Sequence, residues 1–438
     1  MAEAVHIAAV EQVLSALYAS GDTLLSSFII HKPGAPAWDR LSGIGTEIFV
    51  RRKEYIRALL FIRQNGAPYL RAMSVSDLWS LVTSFVTENF WYIRDGEFLR
   101  RHDRSYADQV QLPGKLAFAD AMANSAFFNP VNELTLFPLI PIRVDAKFEC
   151  PRFFIVSAAD LSVDQMPAGV RTTDLDPSHF PPMVRWDGIK RPTVSWLGVR
   201  SPLLQVSTKA AAAILGAVAL TPLPRERYMH SRRQMFGGRC TMAGGNCSVS
   251  LGDEPHTPAM MNDIVLTGAD HAWLERLATL VDAGDLHSRK RVKALEYFYR
   301  AWFLDPRERF PLLCMSLDSL VGATHGHTAA AVKFVRDTID TSIEEDRLRL
   351  LMRVRGAVVH GAAPDVYDSE NYEKYYFDYE TDPIRDIELV VAKCLRSDIF
   401  GDRIKCHADP HAEIVAEMQA KGRLPARLDD GCIIPDDI

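Results

Sequence analysis

The chain has 438 residues, 47% hydrophobic and 24% charged, with a formal net charge of −6. That length holds two or three domains of ordinary size, each with a real core. The mild acidity excludes a broad basic field for non-specific nucleic-acid binding, so any RNA contact must be local. Seven scattered cysteines predict reduced thiols rather than a disulfide framework. The nearest metal-like spacings, Cys240 to Cys247 and Cys406-His407 with His411, lack a second half, so neither metal nor cofactor is expected. Glu3 and His6 interrupt any signal-peptide layout. The longest apolar run, Ala210 to Leu220, is too short to span a bilayer. These features predict a soluble cytoplasmic protein without membrane segments.

In chain order, residues 1–128 are mostly helix-patterned. Val10, Val13, Leu14 and Leu17 recur at helical spacing, as do Leu78, Leu81, Val82 and Phe85. A strand-like piece interrupts them at 46–51, and 88–100 reads as an aromatic hairpin turning at Asp95-Gly96. From Asn129 the texture becomes β-rich. The segments 134–144, 147–157, 195–199 and 203–207 predict strands, with Pro138 and Pro141 confining the first to an edge or end. A buried helix is expected over 208–220. Residues 221–260 read as a long surface loop in which Arg225, Arg227, Arg232, Arg233 and Arg239 concentrate. This is either a basic loop that touches RNA phosphate or an exposed loop with solvated charges. No Gly-rich nucleotide-binding spacing is present.

After a short strand at 264–266 and a helix over 270–280, the segments 286–304, 309–321, 328–341, 344–360 and 383–400 all carry helical periodicity. Leu348, Leu351, Val354 and Val358 make one stripe. Ile384, Ile387, Val391, Cys394 and Leu395 make another. Pro383 suits a first helical turn. Five such helices predict a compact antiparallel bundle. The fold class is therefore α+β: a mainly helical region over 1–128, a mixed region over 129–284, a helical bundle over 285–403 and a tail over 404–438.

The clearest chemical signal is Arg355-Gly356-Ala357-Val358-Val359-His360-Gly361 at the end of a helical segment. An imidazole that moves a proton and a guanidinium that holds a phosphate suffice for metal-free RNA cleavage. Equally, Arg and His at a helix end can cap carbonyls and complement the helix dipole. On an unbroken helix a five-residue step turns by about 500°, leaving the two side chains roughly 140° apart. Two copies about a two-fold axis would surround one phosphate more easily than a single copy.

An aromatic helix (Tyr297, Phe298, Tyr299, Trp302, Phe303) precedes Leu317-Asp318-Ser319-Leu320, and the Arg355–His360 helix end follows. This order resembles the HEPN superfamily, and within it the Apea-like HEPN proteins, over about residues 285–400. Phe137-Pro138-Leu139, a Trp196-Leu197-Gly198 turn and the segment before Trp273 resemble the regions that accompany that domain. The resemblance implies a dimerising helical bundle. In it, Arg355 and His360 of two subunits form one RNA-cleaving cleft, as in many endoribonucleases of phage defence, toxin–antitoxin systems or RNA processing. Other members of the family are non-catalytic binding modules. Asp318 stands where Glu is commoner, and Gly356 where active members often carry a polar residue. Ala362 replaces the modifiable Tyr of the HxY toxins.

Three readings stay open: a nuclease, with a regulatory protein or phage component as trigger; a dimerising RNA- or ligand-binding scaffold; and a sensor whose N-terminal region binds a ligand or phage component. Asp318 can orient the site or join a polar network in the bundle core. Arg349 and Arg353 share a helix face and can extend a phosphate track, although Glu345 can pair with Arg349 instead. His325 and His327, flanking Gly326, read as exposed loop residues rather than catalytic ones. Tyr372, Tyr375, Tyr376 and Tyr379 form an aromatic run better suited to loop packing or a dimer contact than to base stacking.

Overall fold

The computed structural model describes residues 2–34, 36, 44–96, 100–167, 175, 192–228, 237–243, 246–250, 254–322, 326–407, 411–424 and 431–434. The chain divides into two compact units, Met1–Asn132 and Glu133–Ile438.

In the first unit, α1 (Ala4–Ala16) packs against α2 (Arg52–Asn65) and α4 (Leu112–Ala123), and α2 also packs on α3 (Val75–Asn89). The periodic residues Val10, Val13, Leu14 and Leu17 are all buried, as are Leu78, Val82 and Phe85. A three-stranded antiparallel sheet, ordered β1-β3-β2, joins β1 (Leu17–Tyr18), β2 (Leu24–Ile29) and β3 (Gly45–Val50). The first half of the expected hairpin over 88–100 is helical instead, and residues 97–99 lie outside the described residues. A capping box between Ser74 and Asp77 starts α3, which runs through Glu88 and Asn89, and Phe90–Ile93 continues as a tighter 3-10 turn. Phe90 and Ile93 point into the core, so their aromatic and branched character serves helix packing here rather than strand pairing.

The second unit is mixed α/β. Its main sheet has six strands in the order β10-β9-β4-β8-β7-β6, all antiparallel neighbours. They are β4 (Glu133–Leu139), β6 (Phe148–Glu149), β7 (Phe153–Ser157), β8 (Ser195–Ser201), β9 (Arg239–Ala243) and β10 (Asn246–Ser250). A separate parallel pair joins β5 (Ile142–Val144) to β11 (Ile264–Leu266). Strand alternation sends Phe137, Leu139, Phe153, Ile155, Leu197 and Val199 into the large core shared with the helices. It sends Leu134, Leu136, Phe154, Val156 and Trp196 into a smaller core on the other face.

Three expectations are corrected here. Trp196-Leu197-Gly198 is no turn but the middle of β8, paired with β4 and β7. The ring of Phe154 fills the space that a side chain at Gly198 would occupy. Leu203–Ser207 is not a strand: α5 (Leu204–Val218) starts there, just past Pro202, which cannot continue a strand ladder. Finally, the 221–260 loop contains the β9–β10 hairpin, which extends the sheet at one edge.

The remaining helices are α6 (His271–Asp282), α7 (Leu286–Ala301), α8 (Pro306–Val321), α9 (His327–Thr338), α10 (Glu345–Val359), α11 (Glu370–Tyr379), α12 (Pro383–Cys394) and α13 (Ala412–Ala420). α12 ends in a π-helical turn, Leu395–Ile399. Asp305 and Asp382 accept backbone N–H bonds at the starts of α8 and α12, each followed by proline. Packing runs α7 on α8, α8 on α12, and α9 on α10. One continuous core runs from Phe137 in the sheet to Ile404 and Ile434 near the C-terminus. The expected divisions at 284/285 and 403/404 therefore fall inside one compact unit. α11, expected to be loop, is a helix because Tyr375 is fully buried and anchors it.

Among the described residues no helix is long and apolar enough to cross a membrane.

Candidate functional site

The Arg355–His360 motif closes α10. Leu348, Leu351 and Val354 face the core, which fixes the roll of the helix. α10 ends because Gly361 adopts a left-handed conformation, φ +74°, which glycine enters without steric cost. His360 occupies the C-cap, at φ −93° and ψ 4°, and its backbone N–H still bonds Gly356 O at 3.1 Å. Its side chain is exposed.

Arg355 behaves differently. It is 7% exposed, and its Nε–H donates to Asp318 Oδ2 at 3.2 Å, with a second, shorter bond from its terminal nitrogen to the same oxygen. Asp318 sits on α8, so the ion pair ties α8 to α10. Cys314, one turn before Asp318, is fully buried; burial pushes its thiol up, so it stays protonated and is no nucleophile.

Arg355 and His360 nevertheless line one open depression of about 780 Å³. Gly326, His327, Thr328, Arg349, Met352, Arg353 and Asn371 also line it. Within it the two residues differ: Arg355 is buried against Asp318, and His360 is open to solvent. Gly356 also lines the depression, and a Cβ added there would meet nothing within 4 Å.

Arg353 is exposed, lines the depression and has no ion-pair partner among the described residues. Arg349 pairs with Glu345, its Nε–H reaching Oε1 at 2.9 Å, and Arg336 reaches the other Glu345 oxygen at 2.6 Å. Hydrogen bonding from Arg349 holds the Glu345 carboxyl below its usual value. The solvated-pair reading of Arg349 is therefore present in the fold, and Arg353 is the guanidinium left open to a ligand.

The other candidates separate from this place. Arg232 and Arg233 lie outside the described residues, as does His325. Arg239 begins β9, in register with Ser250, and does not line the depression. Arg227, expected on an exposed loop, is 1% exposed. It bonds Ala219 O at 2.8 Å and pairs with Glu388, so it is an internal tie. In the aromatic run Tyr375 is buried packing, whereas Tyr376 is exposed. Arg347 Nε–H reaches both Tyr375 Oη at 3.0 Å and Asp386 Oδ2 at 3.1 Å. Asp386 Oδ1 in turn accepts the backbone N–H of Ile433 at 3.0 Å. Burial raises both the Tyr375 hydroxyl and the Asp386 carboxyl above their ordinary values.

Cys240 and Cys247 come together, their sulfurs 3.0 Å apart. The contact is a thiol–thiol hydrogen bond. Among the described residues no cluster of three metal-ligating side chains occurs.

Sequence reasoning set His327 aside, yet it opens α9 and lines the depression beside the motif. The signal was available. His327 and His360 lie at comparable distances on either side of the α9–α10 connection, and a helical hairpin brings such positions level.

Compared with known proteins, the chain matches no family model, no curated protein and no solved structure.

Proposed function

We propose that the chain is a metal-independent endoribonuclease of the HEPN type, cleaving RNA by attack of a 2′-OH on the adjacent phosphorus. The observation that carries this reading is an exposed His360 ring in an open depression lined by three arginines, Arg349, Arg353 and Arg355. Imidazole transfers the proton and guanidinium groups stabilise the charge gathering on the non-bridging oxygens. Those two functions suffice for transphosphorylation, which leaves a 2′,3′-cyclic phosphate and a free 5′-OH. Two copies of the chain facing each other across these motifs form the homodimer that the HEPN resemblance implies. An effector role in phage defence or toxicity, with a regulatory protein or phage component as trigger, goes with that resemblance.

The burial of Arg355 and its pairing with Asp318 favour a second reading, in which the domain binds RNA or a second copy without cutting. The two readings part in one experiment. Total RNA is incubated with the protein in excess chelator, wild type beside His360→Ala. Loss of cleavage on chelation, or cleavage that survives His360→Ala, refutes the nuclease. Binding of RNA without cleavage supports the second reading.

A further inference from the structure

We infer that His327 is the second proton-transfer group of this site, acting as general base while His360 acts as general acid. The inference rests on the nuclease reading and adds to it a residue and a division of labour.

Three features of the fold carry it. First, His327 and His360 are both exposed and line the same 780 Å³ depression. Second, topology puts both at one end of the α9–α10 hairpin. α9 has 12 residues and α10 has 15, and the two pack against each other across a short connection. At 1.5 Å per residue they run about 18 and 22 Å, so the end of α10 returns to the level of the start of α9. Third, the two rings sit at opposite helix poles. His327 is the first residue of α9, beside its unpaired backbone N–H groups, and His360 caps α10, beside its unpaired carbonyls. The charge of Arg355 is offset by Asp318.

Cleavage needs such a pair. The base removes the 2′-OH proton as the 2′-oxygen bonds to phosphorus, and the acid delivers a proton to the 5′-oxygen as the P–O5′ bond breaks. One proton is taken and one given, so the step balances with no other reactant. Arg353 is placed to hold the phosphate between them. Each chain then brings both imidazoles to its half of the paired site.

The test uses the full-length protein and a short RNA containing one cleavable linkage, either natural or with sulfur in place of the 5′-bridging oxygen. A thiolate leaves without a proton. His327→Ala, at an exposed position, is expected to unfold at the wild-type temperature and to cut the natural RNA 10²–10⁴-fold more slowly, the usual worth of a general base. The sulfur substrate should restore the rate of His360→Ala but not that of His327→Ala. If wild type cleaves and His327→Ala stays within about twofold of it, the inference fails and the nuclease reading stands. Rescue of His327→Ala by sulfur also overturns the assignment. If wild type does not cleave at all, both fall together.

Discussion

The Asp318–Arg355 pair makes a sharp, asymmetric prediction. The Arg355 side chain is 8% exposed and that of Asp318 is 29% exposed. At 3.2 Å and an effective dielectric of ~20, two unit charges attract by about 5 kcal/mol. The desolvation of both groups offsets roughly half of that. Asp318→Ala strands a nearly buried guanidinium and should destabilise the Glu133–Ile438 unit by ~2–3 kcal/mol. Arg355→Met keeps the packing volume and leaves a carboxylate that water can reach, so its cost should be about 1 kcal/mol. Adding Arg355→Met to Asp318→Ala should therefore restore stability rather than reduce it further, as replacing a whole buried pair often does. Urea unfolding of the four full-length proteins measures this. A double variant less stable than Asp318→Ala alone would refute the claim that Arg355 is held as a buried, compensated charge. RNA cleavage by the same four proteins separates the roles: a folded but inactive Arg355→Met beside an active Asp318→Ala shows that Arg355 also serves the chemistry.

Further outcomes follow from other parts of the second unit. Gly356→Ala meets no atom and sits inside α10, so it should stabilise the protein by ~0.5–1 kcal/mol; a lowered melting temperature would contradict the open geometry. Gly216→Ala should do the opposite, because its Cβ would lie 2.2 Å from the Leu295 carbonyl oxygen, forcing α5 off α7. A cost of ~1–3 kcal/mol is expected in urea unfolding, and a neutral result would refute the close packing. Burial holds the His407 imidazole below its ordinary value. On acidification the unfolded chain therefore protonates first, near pH ~6.5, and stability falls from there as pH drops through the folded-state value. His407→Gln should flatten that decline, and an unchanged slope would contradict it.

The helices of the second unit were legible because their apolar residues repeat with a strict period. Leu348, Leu351 and Val354, and Ile384, Ile387 and Val391, are buried as that period requires. The errors came where composition and context disagree. Aromatic residues around Phe90 and Tyr375 suggested hairpin or loop, but here they anchor helical turns in a core. Leu203 to Ser207 looks like a strand locally, and only the break at Pro202 separates it from β8. The site divides in the same way. His360 could be found from the motif, but the burial of Arg355 against Asp318 is a tertiary fact that spacing does not encode. The openness of Arg353 depends on how α9 and α10 fold back on each other, and that pairing is decided outside the motif.

The most direct test of the central claim is the chemistry of the ends. RNA incubated with wild-type protein in chelator should yield fragments bearing 2′,3′-cyclic phosphate and 5′-OH, and His360→Ala should yield none. Fragments with 5′-phosphate, or cyclic ends made equally by His360→Ala, would contradict it.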